Sequence, residues 1–135
     1  MTSSAQNPVA SEVNTAAASG PVEWTRGDRL RNRNATSLTV LVPAYNEQYL
    51  IEASLRRLSV LGESSRLEHI QVIVVDDCSE DATAQSIERF QQFLETSADF
   101  KKFSWLWLRH LKNSGKGAAI RTALAHSSAD LIVTH

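Results

Sequence analysis

The chain of 135 residues lacks the features that mark several specialised protein classes. Its one cysteine, Cys78, cannot form an internal disulfide and matches no metal-site spacing. No unbroken apolar run exceeds four residues, whereas a membrane-spanning helix needs roughly 18 or more. With 14 Lys and Arg against 15 Asp and Glu, the net charge of −1 provides no overall basic field for nucleic acid or anionic lipid. These absences, with 42% hydrophobic residues, favour one globular domain without a transmembrane segment or a nucleic-acid partner.

The first 36 residues differ in composition from the rest. Residues 1–20 are largely Ala, Ser, Thr and Asn without helical or strand periodicity, so little apolar surface offsets the entropy lost on ordering. We therefore predict a disordered leader over residues 1–36. It has neither the basic start nor the apolar stretch of a secretory signal. A transit peptide is the weaker alternative, because such peptides are poor in acids and Glu12, Glu23 and Asp28 are present.

Beyond the leader, short aliphatic runs alternate with segments of helical periodicity. The runs predict strands over residues 38–42, 71–75, 103–108 and 131–134. The segments between them predict helices over 48–61, around Ile87, Phe90 and Leu94, and over 116–125, with Gly62 ending the first helix. Strands separated by helices form right-handed crossovers and a parallel sheet covered on both faces. Residues 37–135 are thus predicted to be an α/β domain.

The polar residues that follow each predicted strand are the candidate site, because ligands bind outside the carboxyl ends of the strands in open parallel sheets. After the first strand, the sequence PAYNE could present a rigid turn at Pro43, the ring of Tyr45 and the carboxylate of Glu47 together. The structural alternative is that Pro43 ends the strand, Asn46 caps the helix and Glu47 complements its dipole.

Two carboxylates, Asp76 and Asp77, follow the second strand. One of them could cap the next helix, but capping does not account for the other. A carboxylate here could accept hydrogen bonds from a nucleobase or a ribose, or bind a hard cation. Cys78 is predicted to pack in the turn as a small residue.

The sequence NSGKGA, residues 113–118, follows the third strand and opens a helix. Glycines at a helix N-terminus let backbone N–H groups approach an anion, and Lys116 adds positive charge for a phosphate. The segment is not a Walker A loop, because His110 and Gly117 stand where that motif has Gly and Ser or Thr. Ile120 likewise replaces the third glycine of a dinucleotide-binding motif. A helix-capping loop with a solvated lysine is the alternative.

Taken together, VPAYNE (42–47), VVDDCSED (74–81) and NSGKGAAIRTAL (113–124) occur in an order and at a spacing that resembles family 2 glycosyltransferases. The likeness covers about residues 38–135 and is greatest to the branch of dolichyl-phosphate mannose and glucose synthases. It implies a GT-A, Rossmann-like fold, truncated after the fourth strand. It also implies transfer of a sugar, with inversion, from a UDP- or GDP-sugar to an acceptor such as a polyprenyl or dolichyl phosphate. Cys78 departs from the glycine common in that branch.

The resemblance assigns roles to particular residues. The implied nucleotide-sugar-binding residues are Pro43, Tyr45, Glu47, Asp77 and Lys116. Tyr45 would lie near the base, Asp77 would accept a hydrogen bond from it, and Lys116 would lie near the diphosphate. Asp76 would organise the turn. Arg121 is a weaker candidate because it can face solvent from the helix.

The resemblance also implies Mg²⁺ or Mn²⁺, held by an Asp-x-Asp motif that follows the fourth strand, and a catalytic base further on. Residues 131–135 end about where that motif would begin, so we expect no catalytic residue and no metal ligand in this chain. The chain is predicted to be an inactive, donor-binding fragment of a cytoplasmic enzyme, which is either soluble or anchored at the cytosolic face of a membrane. Two alternatives stay open. One is a non-catalytic nucleotide-binding module. The other is a phosphoacceptor receiver-like domain, whose acid pair would follow the first strand instead of the second.

Overall fold

The computed structural model describes Val13–Thr15 and residues 36–135. Most of the predicted leader therefore lies outside the described residues. Within it, Val13–Thr15 form a short strand, and Thr36 begins another. The disordered leader stays a prediction for the rest of residues 1–36.

Five strands form one sheet in the spatial order β1-β4-β3-β2-β5. They are β1 (Val13–Thr15), β2 (Thr36–Ala44), β3 (Leu67–Asp76), β4 (Phe103–Arg109) and β5 (Leu131–Thr134). Strands β2 to β5 are parallel to one another, which confirms the predicted four-stranded parallel sheet. Strand β1 pairs antiparallel with β4 and adds an edge strand that the sequence pattern did not predict.

Three α-helices connect the parallel strands: α1 (Ile51–Arg57), α2 (Thr83–Thr96) and α3 (Lys116–Ala125). The bounds of α3 and β5 are those predicted. The first helix is shorter than predicted and continues as a 3₁₀ helix, Leu58–Glu63. Gly62 does not end α1 but lies within this 3₁₀ helix. A side chain at Gly62 would lie 3.3 Å from Cε1 of Phe103, so this close approach favours glycine.

The helices cover both faces of the sheet, as predicted. On one face, α1 and α2 pack over an aromatic cluster centred on Phe90, whose ring centroid lies 5.1 Å from that of Trp105 and 5.7 Å from that of Phe100. On the other face, α3 packs through the buried residues Ala119 and Ala123. Small side chains on α3 allow its backbone to lie close to the strands, which brings its N-terminus to the carboxyl edge of the sheet.

Strand β2 continues through Pro43 to Ala44, so the expectation that Pro43 ends the strand is wrong. The N–H of His135 donates to the carbonyl of Leu41, and the N–H of Asp77 donates to the carbonyl of Ala44. The backbone of Leu41 therefore faces β5 and that of Ala44 faces β3. Alternation along the strand puts the missing N–H of Pro43 on the β5 side, where no hydrogen bond to β3 is lost.

Candidate functional site

A cavity of about 430 Å³ lies at the carboxyl edge of the sheet, above β2 and β3. Its lining includes all five predicted site residues, namely Pro43, Tyr45, Glu47, Asp77 and Lys116. Other lining residues come from α1, from the loop before α3 and from the residue after β5, and include Ser54, Asn113, Gly115 and His135. Three segments that are far apart in the sequence thus meet around one space, as the parallel sheet predicts.

The loop between β2 and α1 is held in place by the next loop along the sheet edge. Asn46 has a positive φ of 51°, and its Oδ1 accepts a hydrogen bond from the N–H of Glu80. The N–H of Glu47 donates to Oγ1 of Thr83 over 2.8 Å. The N-cap position of α1 is Leu50, without a side-chain cap, so the alternative that Asn46 caps this helix is wrong. The side chains of Tyr45 and Glu47 are exposed and line the cavity.

Asp76 lies outside this cavity and orders the turn after β3. Its Oδ1 accepts the N–H of Ser79 over 2.9 Å, which confirms its predicted role in the turn. Its Oδ2 lies 3.7 Å from Nε of Arg109. Neither Asp76 nor Asp77 caps α2, whose N-cap position is Ala82 without a side-chain hydrogen bond.

Asp77 is buried, with 3% of its surface exposed, and it accepts three hydrogen bonds. Its Oδ1 accepts from Nδ1 of His110 over 2.7 Å and from the N–H of Ser114 over 2.9 Å. Its Oδ2 accepts from the N–H of Gly115 over 2.8 Å. The sequence predicted that backbone N–H groups of this loop would face an anion such as a phosphate. Those of Ser114 and Gly115 instead donate to the carboxylate of Asp77.

These hydrogen bonds also set the charge of Asp77. Burial is the largest single effect on its pKa and raises it, because a buried carboxylate loses hydration. The hydrogen bonds from Ser114, His110 and Gly115 act together in the opposite direction, and the net result is a pKa below the ordinary value. Asp77 is therefore an anion at neutral pH.

His110 is a site residue that sequence reasoning missed. It follows β4 directly, is 3% exposed, and joins Asp77 to α3 because its Nε2 lies 2.8 Å from Oγ1 of Thr122. The sequence did contain a signal, since a histidine at the carboxyl end of a parallel strand stands where functional groups collect.

The loop before α3 presents Lys116 to the cavity. Gly115 has φ of +94°, a backbone conformation that residues other than glycine rarely adopt. This conformation turns the chain into α3, which begins at Lys116. Lys116 is exposed and lines the cavity, whereas Arg121 is exposed and lies outside the lining. The cavity therefore has two carboxylates towards β2 and β3 and one ammonium group towards α3.

Comparison with known proteins gives the family. Residues 39–135 match the family model described as Glycosyl transferase family 2, which is well over half of the chain. The chain belongs to glycosyl transferase family 2. Its parallel sheet with helices on both faces is the N-terminal part of the GT-A, Rossmann-like fold.

A curated relative in this family is the undecaprenyl-phosphate 4-deoxy-4-formamido-L-arabinose transferase of Salmonella choleraesuis (strain SC-B67). It is 33% identical over 97 residues, which are 72% of this chain and 27% of that protein. The chain thus spans about a quarter of the length of the curated relatives it matches.

Two solved structures are similar in fold. One is a mannosyltransferase from Pyrobaculum calidifontis in complex with GDP-Man and Mn²⁺, with 32% identity and a TM-score of 0.53 over 70% of this chain and 25% of that one. The other is S. aureus TarS 1-349 in complex with UDP, with 27% identity and a TM-score of 0.55 over 73% and 27%.

The solved mannosyltransferase contains Mn²⁺, an ion that needs several protein ligands close together. Across residues 36–135, no three His, Cys, Asp or Glu side chains lie together so that they could hold a metal ion. Of the two cavity carboxylates, Asp77 already binds three N–H groups. This part of the chain therefore does not fit a metal site. None of the helices within residues 36–135 has the length and hydrophobicity of a membrane-spanning segment.

Proposed function

We propose that the cavity binds the nucleoside diphosphate of a UDP- or GDP-sugar, and that this chain forms the donor side of a transferase that moves the sugar with inversion. The observation that carries the proposal is the meeting of Pro43, Tyr45, Glu47, Asp77 and Lys116 around one cavity of about 430 Å³. This volume lies within the range of ligand sites, about 300–1,000 Å³.

The base would bind between Tyr45 and Asp77. Tyr45 is 39% exposed and lines the cavity, which leaves surface on which a base can stack. Oδ2 of Asp77 accepts one hydrogen bond from the protein, so it retains capacity for a second. Uracil and guanine each carry a ring N–H that such an anionic oxygen accepts. Glu47 is the remaining carboxylate of the lining and can accept hydrogen bonds from ribose hydroxyls.

The diphosphate would bind towards α3. Lys116 supplies the positive charge of the lining, and it stands at the first residue of α3, where the helix dipole also favours an anion. An ammonium group at the mouth of the cavity makes binding of a diphosphate depend on salt.

For the acceptor, we propose a polyprenyl phosphate. Support comes from the curated relative, whose name gives undecaprenyl phosphate as its partner, and that relative matches 72% of this chain. A lipid acceptor would put the reaction at a membrane surface, and we propose its cytosolic face. We further propose that the metal ligands and the catalytic base belong to sequence beyond these 135 residues, so that the chain by itself binds a donor nucleotide without transferring sugar.

Isothermal titration of the 135-residue chain with UDP and with GDP tests nucleotide binding. We expect Tyr45→Ala to weaken binding by about tenfold, because stacking of a base on an aromatic ring contributes about 1–3 kcal/mol. Tyr49→Ala is the matched control, since Tyr49 is 87% exposed and outside the cavity lining. Lys116→Met should weaken nucleotide binding and make the remaining binding less dependent on salt. Lys112→Met, outside the lining, should change neither.

Absence of saturable binding by either nucleotide, or equal losses in the variants and their controls, would refute the proposal for this cavity. A separate assay with UDP- and GDP-sugars and undecaprenyl phosphate tests transfer. Turnover by the 135 residues that Tyr45→Ala abolishes would show that they need no further sequence. Binding without turnover in a chain extended to the full length of the relatives would favour the non-catalytic nucleotide-binding module instead.

A further inference from the structure

We infer that His110 is a positioning residue of the nucleotide site, which it serves by fixing the Asp77 carboxylate and, through that carboxylate, the loop that carries Lys116. The inference rests on the proposed function, because it gives His110 a part in holding the base-binding and phosphate-binding ends of the cavity together. His110 itself does not line the cavity and would not touch the nucleotide.

The hydrogen bonds run without interruption from α3 to the loop before it. Oγ1 of Thr122 lies 2.8 Å from Nε2 of His110, and Nδ1 of His110 lies 2.7 Å from Oδ1 of Asp77. The two oxygens of Asp77 then accept the N–H groups of Ser114 and Gly115. The backbone N–H of His110 also donates to the carbonyl of Asp76, which fixes the start of the loop to β3.

The chemistry of the partners determines the direction of the bond between His110 and Asp77. An ionised carboxylate can only accept, and the pKa of Asp77 is held below its ordinary value, so Nδ1 of His110 must carry the hydrogen. Nε2 is hydrogen-bonded to the hydroxyl of Thr122, which can serve as donor or acceptor. With both ring nitrogens bonded and only 3% of the residue exposed, the imidazole cannot rotate without losing hydrogen bonds at both ends.

The arrangement affects nucleotide binding because Asp77 would contact both the protein groups that hold it and the base in the cavity. Oδ1 is occupied twice within the protein, by His110 and Ser114, which leaves Oδ2 as the oxygen able to accept a further bond in the cavity. Without His110, one of the three hydrogen bonds that fix the plane of the carboxylate is lost, so the carboxylate could rotate about Cβ–Cγ and move Oδ2 away from the base. Ser114 and Gly115 would move with it, and Lys116 follows Gly115 directly. Removal of the Nδ1 donor is therefore expected to affect both ends of the bound nucleotide.

Three variants separate positioning from packing. His110→Phe keeps the ring and removes both hydrogen bonds, and we expect it to weaken UDP or GDP binding by about tenfold. His110→Asn retains an N–H donor near the position of Nδ1 and should bind within about threefold of the wild type. Thr122→Val removes the hydroxyl that bonds Nε2 of His110 and leaves the ring in place. Its affinity for UDP or GDP should lie between those of His110→Phe and His110→Asn.

His69 provides a matched control. It is also a buried histidine, 7% exposed, and its Nε2 lies 3.0 Å from Oγ of Ser104, but it stands near the start of β3, away from the carboxyl edge. His69→Phe is expected to lower stability while leaving nucleotide affinity within twofold of the wild type. Circular dichroism and urea denaturation establish for every variant that the chain is folded at the temperature of the titration.

A second measurement needs no nucleotide. Hydrogen exchange by NMR reports the opening of individual amides, and the N–H groups of Ser114 and Gly115 should exchange at least tenfold faster in His110→Phe than in the wild type or in His110→Asn. Unchanged exchange at these two amides would overturn the positioning role. So would equal nucleotide binding by His110→Phe and the wild type, or equal losses in His110→Phe and His110→Asn, which would indicate an effect of packing alone.

The two proposals fail differently. If the wild-type chain binds neither UDP nor GDP, the proposed function falls, and the part of His110 in nucleotide binding falls with it. If the wild type and His69→Phe bind normally and His110→Phe binds equally well, only the role of His110 is refuted.

Discussion

Replacement of the Asp77 carboxylate by an amide, Asp77→Asn, should lower the free energy of unfolding by about 3 kcal/mol. Asp77 accepts three N–H donors, two at Oδ1 and one at Oδ2. The amide of Asn has one oxygen to accept with, and its NH₂ group must face at least one of these donors. A hydrogen bond to a charged group contributes about 1.5–3 kcal/mol, and a buried donor left unsatisfied costs about 1–3 kcal/mol.

The loss should depend on pH. Burial raises the pKa of Asp77, but the hydrogen bonds from Ser114, His110 and Gly115 outweigh it, so the folded-state pKa lies below the ordinary value of 3.8. A depressed folded-state pKa means that the ionised group stabilises the folded chain above the unfolded-state pKa. The difference between wild type and Asp77→Asn should therefore be present in full at pH 7, shrink as the pH falls below about 3.8, and be lost as the pH passes through the folded-state pKa.

Urea denaturation followed by tryptophan fluorescence measures this difference, because Trp105 and Trp107 are buried in the core and report unfolding. Asp99→Asn is the control, since Asp99 is exposed. It should change the free energy of unfolding by less than about 0.5 kcal/mol. A loss below about 0.5 kcal/mol in Asp77→Asn at pH 7, or a loss that stays constant down to pH 2.5, would refute the assignment of three charge-assisted hydrogen bonds to this carboxylate.

Two further substitutions test the fold around the site. Phe90→Ala, at the centre of the aromatic cluster, should lower the free energy of unfolding by about 4 kcal/mol in the same urea assay, and a loss under 1 kcal/mol would contradict the packing described. Gly115→Ala should cost about 1–3 kcal/mol, because φ of 94° with ψ of 159° is a backbone conformation almost confined to glycine, and no atom lies within 4 Å of the added methyl group, so strain of the backbone is the whole effect. Gly117→Ala, within α3, is its control and should be neutral or stabilising by up to about 1 kcal/mol, and equal losses at the two glycines would argue against that explanation.

The sheet could be predicted from the sequence where its residues are aliphatic. Strand β5 and helix α3 agree with prediction at both ends. Strand β3 begins four residues earlier than predicted, at Leu67, because Glu68 and His69 are polar and break the aliphatic run. His69 is nevertheless buried, and its partner is Ser104 on β4, 35 residues away. Single-sequence patterns do not report such pairing between strands.

The cavity lining could be predicted for a related reason. The five predicted residues lie at the carboxyl ends of three parallel strands or in the segments that follow them, and the geometry of the sheet brings strand ends together whatever the side chains are. Contacts between those residues could not be predicted. The bond from His110 to Asp77 joins residues 33 positions apart, and the hydrogen bond of Asn46 with Glu80 joins residues 34 positions apart. Both bonds require particular side-chain rotamers, and the second also involves a positive φ at Asn46, none of which the sequence reveals.

The double use of Asp77 limits how the site can be altered. A single carboxylate meets the cavity on one side and holds the backbone of Ser114 and Gly115 on the other. Any exchange made at position 77 to recognise a different base would also release the loop before Lys116. Variation of the donor is therefore expected to come from Tyr45 and Glu47, which the proposed function puts at the base and at the ribose, and whose exposed side chains hold no part of the loop before Lys116. For an engineer who wishes to change the donor, randomising those two positions while keeping Asp77 constant is the library that preserves a folded starting point.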